Sequence, residues 1–122
     1  MNEDDVLAFV QRSIKSVWAL ELLLLLRRDR QRIWRPEDMV LEMRSSDAAV
    51  AEALTGLRSI GFTAADSAGL HTYQPASAEL DRIAERIEEV YAAKPLAVVK
   101  AITSAPNDKL RLFSDSFKLK DR

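Results

Sequence analysis

Apolar positions in the first third of the chain recur at helical spacing. Val6, Phe9, Val10, Ile14 and Val17, then Leu20 and Leu24, fall three or four residues apart, the period of an amphipathic helix. Asn2 stands where an N-cap belongs, and Glu3, Asp4 and Asp5 complement the positive end of the helix dipole. Ser13 and Ser16 predict a break between a short first helix and a second from about Ser16 to Arg30; one uninterrupted helix is the alternative. From Leu20 to Leu26 nearly every position is apolar, so this stretch is predicted to be buried on several sides and to form the centre of the core.

The pattern then changes. Ile33 and Trp34 read as a short extended piece, because Arg35 precedes a proline and is biased away from helix. Pro36 followed by Glu37 and Asp38 is a strong helix start, and Met39, Val40 and Met43 give that helix its buried face. Arg44-Ser45-Ser46 predicts a turn into a helix whose apolar set is Val50, Ala53, Leu54, Leu57 and Ile60, with Gly61 as its stop. Two short runs, Phe62-Thr63-Ala64 and Leu70-His71-Thr72-Tyr73, flank a small-residue turn containing Gly69 and predict a β-hairpin. Ser77 caps a long amphipathic helix carrying Leu80, Ile83, Ile87, Val90 and Tyr91. Pro95 interrupts it before a short helix over 96–103. Pro106-Asn107-Asp108 starts a last one with Leu110, Phe113 and Phe117.

Composition narrows the chemistry. The 122 residues include one His and no Cys, which leaves no disulfide, thiolate ligand or cysteine nucleophile and fits a reducing cytoplasm. The glycines at 56, 61 and 69 make no phosphate-binding loop. His71 has no Cys or carboxylate at ligand spacing, so no metal is expected. Ser114-Asp115-Ser116 has no base beside it, and Glu85, Glu88 and Glu89 read as a polar helix face with Arg82 and Arg86. The chain is therefore expected to be neither an enzyme nor a cofactor carrier. Its most apolar window, residues 17–26, is too short to cross about 30 Å of hydrocarbon, and its start is acidic where a signal peptide would be basic. A protein of the cytoplasm, without membrane contact, is the expectation.

The order helix, short strand, helix, turn, helix, hairpin and C-terminal helices resembles the winged helix-turn-helix fold of MarR-like and PadR-like bacterial transcription regulators. The resemblance rests on the 17–26 helix, the Ile33-Trp34 strand, the 36–43 and 46–60 helices, and Leu57-Arg58-Ser59-Ile60-Gly61-Phe62. That last passage is similar to the "L-x-x-x-G-h" step from recognition helix to wing, where h is apolar. The length of 122 residues suggests one domain, and the resemblance implies that it is mainly α with a small β-hairpin wing: a winged helix-turn-helix core at 14–75 with an N-terminal flanking helix and C-terminal helices at 77–122. It further implies that the 46–60 helix enters the major groove of duplex DNA. On that reading Arg44, Ser45 and Ser46 meet phosphate, Glu52 and Arg58 reach base edges, and Thr55 and Ser59 share the outward face with Ala48 and Ala51. In MarR-like proteins terminal helices form the dimer interface; here Leu80, Ile83, Ile87, Tyr91, Leu110, Phe113 and Phe117 stand in that place, which implies a homodimer or partner interface, while the segment with Leu110, Phe113 and Phe117 could equally pack on its own domain. Winged-helix regulators often keep effectors between the first helix and the hairpin, and Trp18 and Trp34 stand there, although packing in the core explains both equally well.

Charge pulls the other way. The net charge of −1 conceals segregation: residues 12–35 carry seven basic and two acidic groups, residues 36–89 four basic and eleven acidic, and residues 90–122 seven basic and three acidic. Of the acids in 36–89, Asp47, Glu52 and Asp66 fall on the helix and wing that would read DNA, against Arg58 alone. The wing from Phe62 to Tyr73 has no Lys or Arg, and its tip carries Asp66. Phosphate neutralisation supplies much of the affinity for DNA, so binding is expected to be weak and salt-sensitive. The alternative is a winged-helix module for a protein partner. The densest positive run, Arg27 to Arg32 with Arg35 beyond it, is a contact for a DNA backbone or an acidic partner, or else a solvated helix end.

Overall fold

The computed structural model describes residues 1–104. Local capping decides where its helices begin. In α1 (Glu3–Ser13) the Asn2 side chain accepts from the Asp5 amide at 2.8 Å while the Asp5 carboxylate accepts from the Asn2 amide at 3.2 Å, a reciprocal capping box. The chain turns extended at Ile14, and the Ser16 hydroxyl accepts from the Ala19 amide to start α2 (Val17–Arg28). Two helices, not one long one, therefore occupy residues 3–28.

Pro36 opens α3 (Pro36–Met43), and Arg44 closes it in the left-handed region at φ 53°. Two residues later the Ser46 hydroxyl accepts from the Ala49 amide and begins α4 (Asp47–Ile60). Gly61 ends α4 at φ 108°, and a Cβ there would lie 3.3 Å from that of Ala76. This position thus requires glycine twice, for its backbone and for the close passage of the next segment. Strands β1 (Thr63–Ala65) and β2 (His71–Tyr73) pair antiparallel with Thr63 opposite Tyr73 and Ala65 opposite His71. Trp34 adds a single bridge to His71, both of its backbone bonds being 2.8 Å, while Ile33 stays exposed. Ser77 caps α5 (Ala78–Ala93), and Pro95 starts α6 (Pro95–Thr103).

The architecture is mainly helical with a small two-stranded hairpin. Helix α2 runs through its middle, touching α3, α4, α5 and β2, while α6 packs on α1 and α5. Leu20, Leu22, Leu23 and Leu26 are buried together with Val10, Trp34, Leu57, Phe62 and Ile87. The leucine run is thus the centre of the core that its pattern predicts. Among the described residues no helix is long and apolar enough to cross a membrane.

Candidate nucleic-acid interface

Helix α4 separates its residues cleanly. Val50, Ala53, Leu54 and Leu57 enter the core, and Ala48, Ala51, Glu52, Thr55, Arg58 and Ser59 face solvent. Arg44 and Ser46 are exposed beside the start of this helix. Ser46 is occupied as the cap, Thr55 donates to the Ala51 carbonyl at 2.9 Å, and the Ser45 hydroxyl is buried without a partner. Ser45 therefore lies below the surface on which a phosphate would settle. The remaining candidates share one face, and its small Ala48 and Ala51 let another surface approach the helix backbone closely.

Two clefts flank that face. One, of about 380 Å³, includes Pro36, Val40, Ala51, Thr55, Arg58 and His71. The other, of about 230 Å³, includes Lys15, Ser16, Glu52, Thr55 and Gly56. Sequence reasoning missed Lys15 and His71 as neighbours of α4. A lysine in the three-residue link between α1 and α2 was the available sign for the first; no sequence signal brings His71 beside Arg58. His71 is only 7% exposed, and its Nδ1 is buried without a partner. Burial first, and the Arg58 charge second, hold its pKa below the ordinary value of 6.5, with Asp66 opposing. It is a neutral, strand-packed imidazole at neutral pH.

Asp66 owes its place to the turn. Its carboxylate accepts from the Ala68 and Leu70 amides, both at 2.9 Å, and Gly69 at φ 81° completes the hairpin. The side chain that would repel phosphate is thus the one that shapes the tip. Among the described residues no group of His, Asp and Glu has the arrangement of a metal site.

The arginine run, dense in sequence, is dispersed by the fold. The Arg27 side chain, 9% exposed, donates to Asp81 at 3.1 Å, to Glu88 at 3.4 Å and to the Tyr73 hydroxyl at 3.4 Å. Arg30 reaches the other Asp81 oxygen at 3.1 Å, and Tyr73 donates to Asp81 at 2.6 Å. The Tyr73 hydroxyl holds Asp81 below the usual carboxylate range, helped by Arg30 and Arg27. Burial and the bond to Asp81 in turn push the Tyr73 pKa up to about 12. Arg32 lies 3.5 Å over the Trp34 ring, and Arg35 pairs with Asp38. Arg28 alone of this run makes no ion pair or ring contact among the described residues. No protein-family model matches the chain, and no curated protein or solved structure matches it.

The apolar stripe of α5 is internal as well. Ile83 and Ile87 are buried against this chain's own core, whereas Leu80 and Tyr91 are half-buried, and Tyr91 donates to Glu21 on α2 at 2.7 Å. This corrects the expectation of a dimer surface at Ile83 and Ile87: the stripe that looked free faces α1, α2 and α6. Leu110, Phe113 and Phe117 lie outside the described residues. The two tryptophans also part company. Trp34 is 1% exposed and belongs to the core, while Trp18 is 43% exposed on the opening turn of α2.

Proposed function

We propose that the chain is a winged helix-turn-helix DNA-binding regulator whose α4 face meets duplex DNA with low intrinsic affinity. One observation carries this reading. After a tight left-handed turn at Arg44, α4 presents Glu52, Thr55, Arg58 and Ser59 as a single solvent face, while its opposite side is fixed in the core. A helix held this way can enter a major groove without rearranging the domain. Arg58 reaches guanine or backbone, and Glu52 accepts from cytosine N4. Arg44, just before the helix, and Lys15, in the cleft beside it, are the cations offered to phosphate. With so few positive groups and Asp47 at the helix start, binding is salt-sensitive, losing about one counterion's worth of affinity per missing phosphate contact.

The commitment of Arg27, Arg30 and Arg35 to internal pairs favours a second reading, a protein-interaction module on the same fold. Fluorescence anisotropy with genomic duplex fragments, at low and at physiological salt, separates the two. Binding at low salt that fades at physiological salt supports the first reading. No binding at low salt sinks it and leaves the second.

A further inference from the structure

The exposed tryptophan marks a second surface. Trp18 borders an open cleft of about 610 Å³ that also includes Glu21, Leu25, Arg28, Glu42 and Met43. Trp18, Glu21, Leu25 and Arg28 follow one another at spacings of three, four and three, so they form one seam of α2, about 15 Å long at 1.5 Å per residue. The seam runs from the apolar Trp18 through the acidic Glu21 and the apolar Leu25 to the basic Arg28, so its two charges are of opposite sign. Of the five large apolar side chains exposed among the described residues, Trp18, Ile33 and Leu41 belong to α2, α3 or the segment joining them. No residue of α4 lines the cleft.

We propose that this face binds a second copy of the same chain, with the two α2 seams antiparallel about a two-fold axis. A two-fold interface must be complementary to itself. Laid parallel, the seams would set Glu21 on Glu21 and Arg28 on Arg28, two like-charge repulsions. Laid antiparallel, Trp18 of one copy covers Arg28 of the other, and Glu21, whose Oε1 accepts from Tyr91 of its own chain, brings its other oxygen within one helical turn of the same guanidinium. Glu42 adds a second carboxylate from α3. The chain already uses this chemistry internally, with the Arg32 guanidinium over Trp34. Tryptophan seated in a partner's cleft is a typical energetic anchor of an interface. The contact leaves both α4 faces uncovered, and it does not depend on what those faces bind.

Light scattering after size exclusion, run on the full chain over a range of loading concentrations, tests the proposal. The wild type forms a concentration-dependent dimer. Trp18→Ala and Arg28→Glu each raise its dissociation constant by at least about tenfold, as truncating a central anchor does, whereas Leu96→Ala on α6 leaves it unchanged. Both seam positions are on the surface, and unaltered circular dichroism confirms that the variants are folded. A wild type that stays monomeric throughout the range overturns the proposal. So does a dimer that persists in Trp18→Ala and Arg28→Glu.

Discussion

Arg27 and Arg58 are the same residue put to opposite uses. At the junction of α2, β2 and α5, Arg27 is enclosed by Tyr73, Asp81 and Glu88, and each polar group there restrains the next. On α4, Arg58 makes no ion pair among the described residues and stands in solvent beside a cleft. The difference shows that positive charge counts as a binding surface only where the fold leaves it unneutralised. The junction is a structural clamp across three elements, and α4 presents a solvent face whose opposite side is fixed in the core.

The largest effect should come from breaking the clamp. Arg27→Ala leaves Asp81 and the Tyr73 hydroxyl without their inner partner, and urea unfolding should show a loss of about 2–3 kcal/mol. That is less than for a fully buried pair, because the Asp81 side chain keeps 32% of its exposure. Tyr73→Phe removes the 2.6 Å bond to Asp81 and should cost about 1–2 kcal/mol. Arg30→Ala, at an exposed position, should cost under about 1 kcal/mol. Equal losses for Arg27→Ala and Arg30→Ala would remove the distinction between an inner and an outer arginine. At the other region, Arg58→Ala should leave stability within about 0.5 kcal/mol of wild type.

The smallest effect is a pH dependence that touches both regions. The His71 pKa is depressed in the folded state, so the unfolded chain takes up a proton first as pH falls. Stability is complete above the unfolded value of 6.5 and declines below it. Asp81 is also depressed, and its contribution is present above 3.8 and is lost as pH falls through its lower folded value. Chemical denaturation across the acid range should therefore show two separate declines. His71→Gln should abolish the upper one alone, and Arg58→Ala should shrink it, because the Arg58 charge helps to hold the imidazole neutral.

Much of the fold was legible because its signals are local. Asn2, Ser16, Ser46 and Ser77 cap the helices they precede, and Pro36 and Pro95 open theirs. Gly61 ends α4 in the one conformation that favours it. The outward face of α4 followed from its period. What stayed hidden was long-range. Arg27 meets residues more than 45 positions away, and nothing near residues 27–35 announces Asp81 or Glu88. The α5 stripe had the right period for an interface, but period shows only that a face is covered. Here α1, α2 and α6 cover it. Likewise Trp18 and Trp34 are indistinguishable until the Trp34–His71 bridge draws one of them into the core.

The proposed contact with nucleic acid is made by Arg58 on α4 and not by the arginine-rich end of α2. Anisotropy titrations of labelled duplex DNA at low salt, comparing wild type, Arg58→Ala and Arg30→Ala, test it directly. Each variant removes one positive charge and leaves the clamp's Arg27 in place. Affinity should be lost in Arg58→Ala and retained in Arg30→Ala; retention in Arg58→Ala with loss in Arg30→Ala would place the contact on α2 instead.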